Sequence, residues 1–474
     1  MRQVYENPRP PEPYHATNGG FVRSHEERLR KKGIDRKHCG EVMQYYDPDA
    51  MLPVLADLAR KFVLFDHWFS SVPGQTWPNR HFTYAGTSFG MADNTWWKAP
   101  SSGPTIFGRL MDAKKDWIVY ADGMTTTWFF SELWRPSTRA RFKPVGRLLD
   151  DIAADRLPNY AFVDPDHFGS NSYSQHPSRN IRNARDFFDC ERMIHSIYTA
   201  LAARPDVFEK TVFLITWDEH GGLWDHVEPP ARDSPDHHTQ GKFRFNVAGV
   251  RVPAVMVSPW APEAYVDSHV YDHTSIINTL RHRFAPTLPR LTERDGHARI
   301  FWDGTLSSQQ ARTNVAIAQT FPQAPEMDAF VAVEPLEDDE WDHAFLTRFV
   351  EQKLDEEQAG MPIPPVSLEA AGAVAGTPEL QSKRDLAAYV DEVHARYFAT
   401  APRGVRLRTP DGNTIFDPAP EVAARVAARA LEMRGRAWMQ DNRQESVTID
   451  SGGPEAALDV APEESIRRFV DFLR

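Results

Sequence analysis

Cysteine is nearly absent: Cys39 and Cys190 are the two in 474 residues, too few for a disulfide framework and without the spacing of a metal site. Both are expected to be reduced, buried small hydrophobes. No stretch approaches the roughly 18 apolar residues of a membrane span. The opening MRQVYENPRPPEPYHATNGG lacks the apolar core of an export signal, so the chain as written is expected to be cytoplasmic, and exported if a signal segment precedes it. Positive charge is also in deficit, with 54 Lys and Arg against 66 Asp and Glu, a formal net charge of −12. That balance disfavours a surface built to neutralise nucleic-acid phosphates, and no nucleic-acid partner is expected. There is no internal repeat.

What is present suffices for a large core: 41% of the residues are hydrophobic and 11% aromatic. Strand-like and helix-like segments alternate from about residue 48 to 285, the pattern of an α/β fold with a largely parallel sheet. PDAMLPVLADLARKF spaces Leu52, Leu55, Leu58 and Phe62 along one helical face. WIVYAD and YAFVDPD are short apolar runs ending in aspartates, TVFLITW and RVPAVMVSPW read as further strands, and DHTSIINTLRHRF reads as a helix that Asp272 or Thr274 caps. Phe187, Met193, Ile194, Ile197, Tyr198 and Leu201 mark a longer amphipathic helix. Open α/β sheets hold ligands at the carboxyl ends of their strands.

Beyond about residue 325 the character changes. VEPLEDDEWDHAF is acidic, a proline- and alanine-rich connector follows, and KRDLAAYVDEVHARYF and APEVAARVAARALEMRGRAW carry helical patterns. The expected division is therefore 1–325, a catalytic domain, and 326–474, a helical or irregular extension.

The chemistry concentrates in few places. TVFLITWDEHGGLWDH delivers Asp218, Glu219 and His220 at the end of an apolar strand, where two glycines allow a sharp turn. Adjacent carboxylates reach one ion only where a strand is ending. Oxygen ligands of this kind suit a hard or borderline divalent cation, to which His220 or His226 would add nitrogen; the same residues also serve as turn caps. His176 sits in a polar loop, NSYSQHPSRN, and His273 stands at a helix start. Thr76, in SSVPGQTWPNRHF, is a weak nucleophile unless a metal lowers its pKa, with Asn79 and Arg80 then placed to hold a phosphoryl oxygen. NTWWKAP and TTTWFFSELW are aromatic enough to line a quaternary-ammonium pocket or to pack a core.

Together, FDHWFSSVPGQTWPNRHFTYAGTS, LPNYAFVDPD, HPSRNI, FEKTVFLITWDEHGGLWDHVEPP, GVRVPAVMVSPWAP and YDHTSIINTLRHRF resemble, in order and spacing, the phosphoesterase family of bacterial phospholipases C and related acid phosphatases. The resemblance runs from about residue 40 to 290. It implies an alkaline-phosphatase-like fold, a central and mostly parallel sheet flanked by helices, and a metal-bound hydroxyl nucleophile. By motif the nucleophile falls on Thr76, the phosphoryl contact on Asn79, the metal-binding acidic pair on Asp218 and Glu219, and the phosphoryl contact or leaving-group acid on His176. The implied reaction is attack by Thr76 on phosphorus, a phosphothreonine intermediate and its hydrolysis.

One motif of the family does not match. Its members begin with an apolar strand running into a Glu-Asn pair that supplies two more metal ligands, whereas Glu6 and Asn7 here follow no apolar run and precede prolines. A chain without that strand is expected to bind metal weakly and to leave a sheet edge uncovered. Three functions follow: a metal-dependent phosphoric ester hydrolase acting on phosphate esters, phospholipid among them; an impaired relative that binds a phosphorylated ligand or partner; and a sulfate or phosphonate ester hydrolase.

Overall fold

The computed structural model describes residues 17–31, 35–94, 98–99, 101–134, 136–166, 173–177, 181–318, 346–348, 350–351, 353–355 and 383–399, together with Gln3. Its strands are β1 (Val63–Phe65), β2 (Trp68–Phe69), β3 (Trp117–Ala121), β4 (Phe142–Lys143), β5 (Tyr160–Asp164), β6 (Phe213–Thr216), β7 (Ala254–Val257), β8 (Tyr265–Asp267) and β9 (Tyr271–Asp272). They form one sheet in the order β6–β7–β1–β8, a second in the order β4–β3–β5, and the pair β2–β9.

The α/β class and the mostly parallel pairing follow the sequence pattern. Both neighbours of β3 run parallel to it, as do β8 to β1 and β9 to β2. β7 is the reversed strand, antiparallel to β1 with Val63 opposite Met256, and to β6 with Thr216 opposite Ala254. Among the described residues β5 and β6 each stand at a sheet edge, and the apolar residues of β6 are only half-buried.

Helices link and cover these strands. Ile181–Ala202 lies on the connection from β5 to β6, with Phe187, Met193, Ile194, Ile197, Tyr198 and Leu201 buried as the periodicity predicts. The helix expected over PDAMLPVLADLARKF is broken in two, Pro48–Met51 and Pro53–Lys61, with Leu52 between them at φ −133° and ψ 46°. Pro53 disfavours helical geometry at the residue before it and has no N–H to continue the ladder. Buried Glu191 accepts from the N–H groups of Val54 (2.7 Å) and Leu55 (3.1 Å), capping the second helix from another part of the chain. Of the two cysteines, Cys190 is buried and Cys39 half-buried, and both are free thiols.

The expected boundary at residue 325 does not bound the core. Leu386, Tyr389, Val390, Val393 and Tyr397 of the helix Lys383–Ala399 belong to the same buried cluster as β1, β3 and β7. Tyr397 lies against Trp128, ring centroids 4.2 Å apart, and under the Arg139 guanidinium at 4.0 Å. TTTWFFSELW is thus core: Trp128, Phe129, Phe130 and Trp134 are buried. The tryptophans of NTWWKAP, the helix expected over APEVAARVAARALEMRGRAW and the Glu6–Asn7 pair lie outside the described residues.

Candidate active site

Thr76 opens a ten-residue helix, Thr76–Ala85, after Gln75 in extended backbone. The proline of TWPNR is Pro78, in the first turn, where a missing N–H breaks no intrahelical bond. The threonine is half-buried at the positive end of the helix dipole, a place suited to an anionic phosphoryl group. Asn79 and Arg80 follow within one turn, and both are engaged with protein. Asn79 is fully buried; its Oδ1 accepts from Val72 N–H at 3.0 Å, and its Nδ2 donates toward the carbonyls of Val72, Gly74 and Gln75 at 3.2, 3.2 and 3.0 Å. In the structure Asn79 clamps the loop that leads into Thr76.

Arg80, four residues on from Thr76 and so on the same helical face, bridges two strand ends. Its Nη1 lies 2.6 Å from Asp164 Oδ1 at the end of β5, and its Nε lies 3.0 Å from Asp218 Oδ2 just beyond β6. Burial alone would lower its pKa, but Asp164 and Asp218 hold the guanidinium charged.

Asp218 and Glu219 occupy the turn after β6. Asp218 Oδ1 accepts from Glu219 N–H at 3.0 Å, and Glu219 Oε2 accepts from Gly221 N–H at 2.7 Å. Gly221 sits at φ +63°, and a Cβ there would run into the Pro177 ring, so the glycine is what lets the His176–Pro177 loop approach this turn. His176 Nε2 comes within 3.8 Å of Glu219 Oε1. The turn is supported from behind by His273: its Nε2 donates to the Asp218 carbonyl at 2.7 Å, while its Nδ1 accepts from the Trp68 indole at 3.4 Å. Burial pushes the His273 pKa down, consistent with the neutral tautomer those two bonds require.

The remaining histidines divide. His220 is half-buried between the Phe21 ring and Gln3, with Nε2 3.1 Å from Gln3 Oε1 and Nδ1 3.4 Å from Glu219 Oε2; desolvation pushes its pKa down to about 3. His226 is 70% exposed beside Asp225. Asp225 itself takes a two-pronged contact from Arg251, at 2.7 and 2.8 Å.

The donors fit a hard divalent cation in kind, two carboxylates and a hydroxyl. Among the described residues no group of three or more His, Cys, Asp or Glu side chains is placed to hold a metal ion. Arg80 already neutralises one Asp218 oxygen.

Residues 7–287, more than half of the chain, match the Phosphoesterase family. The chain belongs to that family. Among curated relatives, non-specific phospholipase C6 of Arabidopsis thaliana is 33% identical over 316 residues, covering 63% of this chain and 58% of that protein. Non-specific phospholipase C5 of the same plant is 32% identical over 321 residues, 64% of this chain and 58% of that protein. Non-hemolytic phospholipase C of Pseudomonas aeruginosa is 28% identical over 322 residues, 58% of this chain and 44% of that protein. The chain thus spans 58% of the length of the two plant relatives. A crystal structure of a protein in the alkaline phosphatase superfamily from Vibrio parahaemolyticus overlaps 49% of this chain and 60% of that one at TM-score 0.31 and 11% identity, too loose a likeness to carry any conclusion.

Every candidate residue of the sequence reading lies inside the matched region of this phosphoesterase. The structure brings Arg80, Asp218, Glu219, His176, His220 and His273 into one connected set and leaves His226 on the exposed side of Asp225. Asp164 was not singled out, although it is the first of the two aspartates in YAFVDPD and closes the apolar run.

Proposed function

We propose that this phosphoesterase is a phosphoric ester hydrolase of phospholipase C or acid phosphatase type, with Thr76 as nucleophile. The observation that carries the reading is the placement of Thr76 at a helix N-terminus, one turn from an Arg80 that is bound to Asp218. The names of the relatives support a phosphate ester, phospholipid included, as substrate.

In this reading the Thr76 oxygen bonds to phosphorus as its proton passes to solvent and the leaving oxygen departs with a proton from His176; water, giving a proton to His176, then cleaves the phosphothreonine, and the threonine oxygen regains a proton from solvent. The helix N-terminus favours the charge that builds on the phosphoryl oxygens. Asn79 and His273 act as positioning residues, one for the loop before Thr76 and one for the turn that bears Asp218. A divalent ion held by Asp218, Glu219 and Thr76 would lower the hydroxyl pKa and neutralise phosphoryl charge. The engagement of one Asp218 oxygen by Arg80 favours, as second reading, a relative that binds phosphate esters with impaired turnover.

The test is Thr76→Ala on an aryl phosphodiester and an aryl phosphomonoester. The reading expects turnover to fall to background with the circular dichroism spectrum unchanged. A variant that hydrolyses either ester as fast as the parent removes Thr76 from the chemistry.

A further inference from the structure

We infer that the turn Thr292–Asp295, which lies beyond the residues matched to the family, is the brace that sets the position of the nucleophile helix, with Arg294 as its key positioning residue; this rests on the reading of Thr76 as nucleophile. Arg294 is 1% exposed. Burying a guanidinium is costly unless its N–H groups meet acceptors, and here the acceptors are specific. Nε and Nη2 donate to Asp272 Oδ2 at 3.0 and 2.9 Å, Nη1 donates to the Phe245 carbonyl at 3.1 Å, and Nη2 also donates to the Ser71 carbonyl.

Ser71 precedes the loop that Asn79 clamps at Val72, Gly74 and Gln75, so the approach to Thr76 is held by Arg294 at its start and by Asn79 over the rest. The guanidinium also lies 4.9 Å from the ring centroid of Phe82, in the middle of the helix.

The far end of the helix is gripped by the same turn. Gly86 caps it at φ +73°, and the Thr292 hydroxyl, 2.8 Å from Asp295 Oδ1, lies 3.3 Å from the Gly86 carbonyl. A Cβ on Gly86 would lie 2.9 Å from Thr292 Oγ1 and 3.1 Å from Asp295 Oδ1, so the contact admits only glycine. Thr292 and Asp295 lock each other in a capping box, which keeps the turn rigid. Asp272 is shared with Arg232, whose Nε lies 3.0 Å from the same oxygen. Among the described hydrogen bonds of these two arginines, it is Arg294 that reaches the nucleophile loop.

Displacing a reacting group by about 1 Å costs on the order of 10²-fold in rate. The experiment compares Arg294→Lys, Arg232→Lys and Thr76→Ala with the parent chain, measuring Tm, kcat and KM on an aryl phosphodiester, and amide hydrogen exchange over residues 70–77. Arg294→Lys is expected to lower kcat by about 10²-fold with little change in KM, and to speed exchange in 70–77. Arg232→Lys is expected to change neither. An Arg294→Lys protein with parental kcat and exchange overturns the inference, as does an Arg232→Lys protein impaired to the same degree, since the effect would then run through Asp272. If Arg294→Lys does not fold, Thr292→Val replaces it: faster exchange over residues 84–87 with reduced kcat supports the brace, and parental values overturn it. Parental turnover by Thr76→Ala would instead sink the nucleophile reading, and the exchange data would still judge the brace.

Discussion

Arg80 is bound to Asp218, Nε to Oδ2 at 3.0 Å, and the same guanidinium reaches Asp164 at 2.6 Å. One side chain on the helix that Thr76 opens thereby ties together the ends of β5 and β6, which share no backbone hydrogen bonds. Removing one partner from a buried ion pair costs about 3–5 kcal/mol, because the charge left behind is unpaired. Arg80→Ala is expected to lose that much by urea denaturation, since Asp164 is only 2% exposed. Arg80→Lys is expected to recover only part, because an ammonium cannot fork to two carboxylates as a guanidinium does. Parental stability in Arg80→Ala would remove the bridge from the account.

Asn79 offers a second check on local architecture. Asn79→Ala leaves the buried Val72 N–H without its acceptor and is expected to cost about 1–3 kcal/mol. Asn79→Asp keeps the acceptor but sets a carboxylate against three carbonyl oxygens, so it is expected to cost at least as much at neutral pH. Thermal melts of the two variants decide this; a stabilised Asp variant would contradict the clamp.

Glu191 makes stability depend on pH. Burial pushes its carboxyl up to about 7, from an ordinary 4.5. A carboxyl raised on folding favours the native state while it is protonated. Its contribution is therefore full below about pH 4.5 and is lost as pH rises through 7, at most roughly 3 kcal/mol in all. Glu191→Gln keeps an acceptor for Val54 and Leu55 and removes the titrating carboxyl. The Gln variant is expected to gain on the parent in Tm as pH goes from 5 to 8. A difference that stays flat across that range would show that Glu191 does not titrate as stated.

The C-terminal helix is expected to be part of the folding unit. Tyr397→Ala removes a buried ring from between Trp128, Phe142 and Arg139 and is expected to cost about 3–5 kcal/mol in denaturant. A loss below 1 kcal/mol would restore the picture of an appendage.

Legibility from sequence followed interaction range. β3, β5, β6 and β7 stand where apolar runs placed them, and the helix Lys383–Ala399 covers the pattern of KRDLAAYVDEVHARYF. An amphipathic face, however, does not name the surface that covers it, so the docking of that helix on Trp128 was not readable. The break at Leu52 was missed, although Pro53 marks it locally. The partners of Arg80 and Arg294 were not readable: Asp218 is 138 residues from Arg80, and Ser71 is 223 residues from Arg294. Residue type suggested a phosphoryl contact for Arg80 and Asn79, and only the fold shows that protein groups engage both.

The central claim is that Thr76 becomes covalently phosphorylated during turnover. The direct measurement is acid quench of the protein during hydrolysis of an aryl phosphodiester, with and without added divalent cation, followed by peptide mass spectrometry. The account predicts a phosphorylated or phosphodiester-linked Thr76 in the peptide spanning Ser70–Phe82, absent from Thr76→Ala. Steady turnover with that peptide unmodified at every quench time would contradict it.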